Sequence, residues 1–281
     1  MNQVTVSAPA KVNMGLRVLH LRRDGYHNIH TVFQELEYSD TVTLVRRSAG
    51  WGFTSNVPWV PIDEANLCVQ AYLLVKERFP ALPGMEIILH KRIPLQSGLG
   101  GGSSDGAAVL KGLNRLFALG LREEALEDLG RELGADVAFF IRGGTQLGEG
   151  IGDRLTPLSE GIQGTFLLVI PEISIVTRWA YEALKKPLET PGDKPNFADL
   201  LKREPIPFPL FENDFEQVVF SAHPEIGLIK DQLLRHGARF ASLSGSGSTV
   251  FGIFADETHA RRAQAHFSPQ YQTILTHPIF S

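Results

Sequence analysis

Four glycines crowd into the short run Pro94-Leu-Gln-Ser-Gly-Leu-Gly-Gly-Gly-Ser-Ser-Asp105, at positions 98, 100, 101 and 102. Each glycine gives up more backbone freedom on folding than any other residue, so such a run belongs between elements and not inside one. Its neighbours say which elements. Met85 to His90 reads as a strand feeding Ile93-Pro94, and Val109, Leu113, Leu116 and Phe117 follow helical spacing after the run. Ser103, Ser104 and Asp105 mark the helix start through their capping preference. The unpaired N–H groups and positive dipole of a helix start favour an anion, and glycines let those amides come close to it. Serine hydroxyls add hydrogen bonds to phosphate or ligate its magnesium. The arrangement suits a triphosphate, against the alternative of a loop that merely connects strand and helix. It is not a Walker A loop, because no Gly-Lys-Ser/Thr ends it, and Ser103 breaks Gly-x-Gly-x-x-Gly, which disfavours a Rossmann site.

Around this loop the pattern is mixed. Val4 to Leu21 is β-branched and interrupted by Ala8-Pro-Ala10. A turn signal at Arg23-Asp-Gly25 follows, then a strand-rich stretch from Ile29 to Leu44, too irregular for a simple hairpin. Asn66 is placed to cap a helix carrying Leu67, Ala71, Leu74 and Val75. Leu121 to Leu133 is a further helix, ended by Gly134. Thr165 to Ile170 is a buried-strand candidate, and Ala241–Leu243 and Thr249–Phe254 flank a second glycine-serine turn. Six prolines between Lys186 and Pro209 predict a loop with short helical pieces. Without regular strand–helix alternation, the class is α+β. A boundary falls near Leu155 to Gly164.

Composition narrows the function. The chain has 281 residues, 43% hydrophobic and 21% charged, enough for one large domain or two modest ones. Its single cysteine, Cys68, excludes an internal disulfide and a multi-cysteine zinc site. A formal charge of −4 argues against a nucleic-acid partner. Met1 to Met14 lacks the apolar segment of a signal peptide, and Phe166–Ile170 is too short to cross a bilayer, so a cytoplasmic chain with no membrane partner is expected.

The loop residues strongly resemble the Pro-x-x-x-Gly-Leu-Gly-Gly-Gly-Ser-Ser-Asp motif of the GHMP kinases, which phosphorylate small alcohols. Ala8-Pro-Ala-Lys-Val-Asn13 resembles their N-terminal motif, and Leu243-Ser-Gly-Ser-Gly-Ser248 their C-terminal glycine motif. The resemblance implies a two-domain fold: an N-terminal ATP-binding domain with a ribosomal-protein-S5-like domain over 1–158, and a C-terminal α/β sandwich domain over 159–281. Ala10–Leu16, Asp24-Gly-Tyr-His27, Leu133–Phe140 and Val176-Thr-x-x-Ala-Tyr181 are similar to one branch of that family. Its acceptor is a cytidine-diphosphate-linked methylerythritol of the non-mevalonate isoprenoid pathway, phosphorylated on the 2-hydroxyl. Met14, Ala138 and Val176 depart from the pattern without removing a reactive group.

That resemblance implies roles. ATP contacts fall on Asn66, Pro94, Leu95, Gln96, Ser97, Gly98, Leu99, Gly100, Gly101, Gly102, Ser103, Ser104 and Gly245, with Mg2+ arriving on the nucleotide. Asp136 fits a helix N-cap on its residues alone; the resemblance makes it the general base. Lys11, otherwise a solvated strand lysine, becomes the cation that holds Asp136 ionised and lowers the alcohol's pKa. Asn13 orients the acceptor. Tyr26 and Tyr181 stack on the cytosine, His27 reads its edge, and Thr177 lies nearby. His27 and His30 form a His-x-x-His pair, but no third ligand has suitable spacing, so no transition-metal site is expected. Rival readings are a kinase for homoserine or mevalonate, and a nucleotide-binding regulator that has lost catalysis. Sequence leaves the oligomeric state open.

Overall fold

The computed structural model describes residues 2–184 and 194–280. The chain divides into two compact units. The first holds Met1–Ala10, Ser39–Leu95 and Gly100–Gly143; the second holds Lys11–Tyr38, Gln96–Leu99 and Gly144–Ser281. The two long strands β1 (Gln3–Leu21) and β2 (His27–Arg47) contribute residues to both.

In the first unit, β3 (Trp51–Ser55), α1 (Leu67–Arg78), β4 (Gly84–His90), α2 (Gly101–Phe117), α3 (Glu123–Leu133) and α4 (Ala135–Arg142) follow in chain order. Thr41–Arg47 of β2 pairs antiparallel with β4, and β3 pairs with β4 in parallel. The alternation Thr41-Val-Thr-Leu-Val45 buries Val42 and Leu44 and leaves their neighbours half-buried, the period-two signature of a sheet with one face in the core. Helices α1, α2 and α4 pack in turn, with α3 against α4. Gly130 of α3 is required by that last contact, because a Cβ there would lie 3.0 Å from backbone atoms of Ala138. This close approach sets the start of α4, which carries Asp136.

The second unit continues with β5 (Thr145–Glu149), β6 (Arg154–Pro157), β7 (Thr165–Ile170), α5 (Thr177–Ala183), α6 (Phe197–Leu201), α7 (Phe215–Ala222), α8 (Pro224–Arg235), β8 (Phe240–Leu243), β9 (Val250–Phe254), α9 (Glu257–Phe267) and β10 (Gln272–Thr276). Thr31–Gln34 of β2 pairs with β5, and β5 with β6. A separate antiparallel sheet runs β10-β7-β9-β8. Every residue of β7 is buried, as expected of a strand with partners on both edges. Leu167, Val169, Val219, Ile226, Ile229, Leu233 and Phe267 form part of this unit's core.

The mixed architecture with two sheets matches the α+β expectation. Asn66 caps α1 as expected, its Oδ1 accepting the Cys68 N–H at 2.9 Å. Gly134 ends α3 as expected, donating to the Gly130 carbonyl. The turn after β1 is closed by the Arg22 N–H to the Tyr26 carbonyl at 2.7 Å. The proline-rich stretch contains α6 and a 3-10 turn at Phe208–Leu210, while its portion 185–193 lies outside the described residues. Among the described residues no helix is long and apolar enough to cross a membrane.

Candidate active site

In the second unit, β1 brings Lys11 and Asn13 onto one face, because alternate strand residues point the same way. The Lys11 ammonium donates to Asn13 Oδ1 at 2.7 Å, and Asn13 Nδ2 donates to the Thr31 hydroxyl at 3.0 Å. Thr31 in turn donates to the Gly15 carbonyl at 2.6 Å. Lys11 and Asn13 are buried, against the alternative of a solvated strand lysine. The ammonium also stands 5.4 Å from the Phe33 ring centroid, a cation–π contact.

The glycine turn between β8 and β9 lies against this pair. At Gly245 a Cβ would sit 3.4 Å from Asn13 Oδ1 and 3.7 Å from Lys11 Nζ. The same turn holds the first half of the glycine loop. The Ser244 hydroxyl donates to the Gly98 carbonyl at 2.9 Å, and the Thr249 N–H donates to the Ser97 carbonyl at 3.1 Å. Gly98 has φ +80°, and a Cβ there would run into the Ser244 carbonyl, so only glycine fits. The Leu99 carbonyl accepts the Lys11 N–H at 3.0 Å. Gln96 accepts a hydrogen bond from the Ser174 hydroxyl, and the Leu95 side chain is exposed.

In the first unit, α2 starts differently from the sequence expectation. The N-cap is Gly100, with φ 72° and no side-chain cap; Ser103, Ser104 and Asp105 lie inside the helix. The first intrahelical bond runs from the Ser104 N–H to the Gly100 carbonyl, so the N–H groups of Gly101, Gly102 and Ser103 precede the helical ladder. Gly102 is exposed, with nothing within 4 Å of a Cβ placed there. The Ser104 hydroxyl is buried and has no hydrogen-bond partner. A phosphate oxygen or its magnesium would satisfy that hydroxyl, so the residues fit a metal-bound nucleotide. Among the described residues no group of three His, Cys, Asp or Glu could hold a metal ion.

Asp105 explains why the helix start stays open. Its carboxylate turns inward to Lys91 at 2.8 Å, and Lys91 also pairs with Asp40. Asp40 is further satisfied by the N–H groups of Arg92 and Ile93, whereas one oxygen of Asp105 is buried without a partner. One ammonium cannot neutralise two buried carboxylates. Burial pushes Asp105 up to about 7, with the charge of Asp40 adding and that of Lys91 opposing. Burial lowers the Lys91 pKa, but the two aspartates outweigh it and raise the ammonium overall. Asp105 is the carboxyl of this triad that holds a proton well above the usual carboxylate range.

Asp136 is half-buried at the second position of α4, where the N-cap is Gly134. A carboxylate in a first turn is favoured by the helix dipole. Asn66 is committed to capping, with Nδ2 donating to the Pro61 carbonyl at 2.7 Å. Tyr26 is 62% exposed beyond the turn after β1. His27 stacks on Tyr181 at 5.2 Å and 16°, and burial lowers its pKa. Tyr181 meets the Phe215 edge at 4.8 Å, and the hydroxyls of Thr177 and Ser246 are 2.9 Å apart. Sequence reasoning missed Asp40, Lys91, Thr31 and Asn213, whose partners lie far away in the chain.

These features define a phosphate-binding kinase of the GHMP class. The GHMP kinases N terminal domain matches residues 66–144, and the GHMP kinases C terminal domain matches 180–272. A 4-diphosphocytidyl-2-C-methyl-D-erythritol kinase of Acetivibrio thermocellus is 39% identical over 273 residues, covering 92% of this chain and 93% of that one. The chain belongs to the family of 4-diphosphocytidyl-2-C-methyl-D-erythritol kinases. A crystal structure of 4-(cytidine 5'-diphospho)-2C-methyl-D-erythritol kinase superposes with a TM-score of 0.83 at 32% identity, covering 99% of this chain and 100% of that chain. A homoserine kinase from Cytophaga hutchinsonii shares the fold, with a TM-score of 0.76 at 19% identity, covering 100% of this chain and 95% of that chain.

The raised Asp105 pKa gives a signed prediction. Between the usual carboxylate value of 3.8 and about 7, the folded state binds more protons than the unfolded state. Stability therefore falls as pH rises through that window. Asp105→Asn removes this component, flattening the pH dependence by up to about 1.4 kcal/mol per pH unit. Urea titrations of both proteins from acid to neutral pH measure it; identical slopes would place the proton elsewhere.

Proposed function

We propose that this chain transfers the γ-phosphoryl group of ATP to the 2-hydroxyl of 4-diphosphocytidyl-2-C-methyl-D-erythritol, releasing ADP, in isoprenoid precursor synthesis. The observation that carries the reading is the buried Lys11 ammonium, held at 2.7 Å by Asn13 within the strand that opens the family signature. A buried cation with a fixed head suits charge developing on a phosphoryl group or on the alcohol oxygen.

The acceptor oxygen forms a bond to the γ-phosphorus as the bond from that phosphorus to the bridging oxygen breaks. The hydroxyl proton passes to Asp136, and ADP leaves with the bridging oxygen. Lys11 stabilises the ionised oxygen, while Asn13 orients Lys11 and the acceptor. The amides opening α2 at Gly101, Gly102 and Ser103 take phosphate oxygens, and Ser104 contacts phosphate or magnesium. Magnesium neutralises charge on the phosphates when bound. Gly98 and Gly245 shape the backbone around the reacting groups, and Asn66, by holding α1, supports the adenine side. Tyr26 takes one face of the cytosine and Tyr181 the other, with His27 moving from its stack on Tyr181 to the polar edge of the base. Thr177 supports that pocket through Ser246. A cytoplasmic setting, where ATP is supplied, agrees with the single cysteine.

The test is ADP release by the purified protein with the cytidylated acceptor, beside an Asp136→Asn variant. Wild-type release that depends on acceptor and falls by about 100-fold or more in the variant supports the assignment. A variant with nearly full turnover removes Asp136 as the essential base.

Gly102→Ala separates phosphate contact from folding. The added methyl meets no protein atom, and alanine gains about 1 kcal/mol over glycine within a helix. The unfolding midpoint should hold or rise while the KM for ATP rises roughly tenfold, the loss of one or two close amide contacts. An unchanged KM would move the phosphates away from this face.

A further inference from the structure

The stretch Asn213-Asp-Phe-Glu216 has no place in the roles above, yet three of its side chains bond to three other parts of the second unit: β1, the end of β8 with its turn, and, through Glu216 and Lys230, α8. Asn213 Nδ2 donates to the carbonyls of Leu243 at 2.8 Å and Gly245 at 2.9 Å, and its Oδ1 accepts the Phe215 N–H at 3.0 Å. The residue is 5% exposed. Glu216 accepts from the Ser242 hydroxyl and the Leu243 N–H, each at 3.0 Å. These bonds fix the entry to the glycine turn.

The same stretch is laid along β1. The Leu16 N–H donates to the Glu212 carbonyl and the Asp214 N–H to the Leu16 carbonyl, both at 2.8 Å. The Asp214 carboxylate accepts the Val18 N–H at 2.6 Å. One short segment therefore ties the strand carrying Lys11 and Asn13 to the turn that presents Gly245 to them. Asparagine is the side chain this job needs. Its amide offers two donors to two carbonyls, whereas aspartate would set negative charge against both and alanine would remove both bonds, leaving the Leu243 carbonyl only the long bond from the Ser242 hydroxyl.

We propose that Asn213 is a positioning residue for phosphoryl transfer, setting the Gly245 turn against the Lys11–Asn13 pair and acting through that turn. The proposal deepens the function given above and rests on the reading that Lys11 and Asn13 serve the transfer. A residue that holds reacting groups in register governs turnover more than substrate affinity, because small misplacements cost rate steeply.

The experiment compares wild type with Asn213→Ala and Asn213→Asp, using steady-state kinetics with ATP and the cytidylated acceptor and amide hydrogen exchange on the same proteins. The expected result for Asn213→Ala is a kcat lower by about 10- to 100-fold. The KM for ATP should change less than about threefold; a smaller folded fraction would lower kcat in the same way, so hydrogen exchange on the same proteins separates the two. Exchange should quicken at Gly245–Thr249 and stay unchanged at Leu167–Val169 in β7. Unchanged kcat, or exchange that quickens equally at both places, overturns the proposal. If the alanine variant fails to fold, Asn213→Asp takes its place with the same expectations. If neither folds, Asn213 is a general folding residue and the assignment is wrong. Wild type inactive on the acceptor sinks the functional reading by itself, and turn-specific exchange then still decides whether Asn213 holds the turn.

Discussion

A helix start that is to receive an anion must be left without a cap from its own side chains, and α2 meets that constraint at some cost. Gly100 occupies the cap position and offers no side-chain bond. The acid nearest that end, Asp105, is drawn into the interior by Lys91 instead of compensating the dipole. Keeping it there needs a lysine, a second aspartate and two backbone amides, and leaves one carboxylate oxygen without a partner. Buried charges arranged this way contribute little net stability compared with apolar packing. Their value here is that the exposed face of α2's first turn is lined by backbone and Gly102, open to phosphate.

In the second unit a comparable role falls to the turn between β8 and β9. Ser244 and Thr249 fix the Gly98 and Ser97 carbonyls, Ser246 meets Thr177, and Gly245 faces Lys11 and Asn13. A turn with so many directed bonds transmits small shifts to every group it touches. Its anchors are Asn213 and Glu216, which bond to the carbonyls and the amide at its entry.

Much of this was legible from local pattern. A glycine-rich run between a strand and a helix has few structural uses, and its placement was read correctly. Lys11 and Asn13, two apart on a strand, share a face and meet. Asn66 before an apolar helical stripe is a cap, and it caps. The exact start of α2 was not legible, because Ser103, Ser104 and Asp105 are good capping residues whose preference was overridden. The reason lies 51 and 14 residues from Lys91, at Asp40 and Asp105, a buried triad that no local window contains. Asn213 was hidden for the same reason, its acceptors lying 30 and 32 residues away. The stacking of His27 on Tyr181 joins positions from distant parts of the chain, so the family resemblance assigned both to a base without showing that they contact each other.

Family membership and the buried Lys11 together lead to one acceptor among those that GHMP folds serve. The most direct measurement is phosphorus NMR of reactions containing this protein and ATP with the cytidylated methylerythritol, homoserine or mevalonate, one at a time. A new phosphomonoester signal with the cytidylated acceptor, matched by ADP and absent with the other two, is the predicted result. A phosphomonoester formed on homoserine or mevalonate, with none on the cytidylated acceptor, would contradict the account.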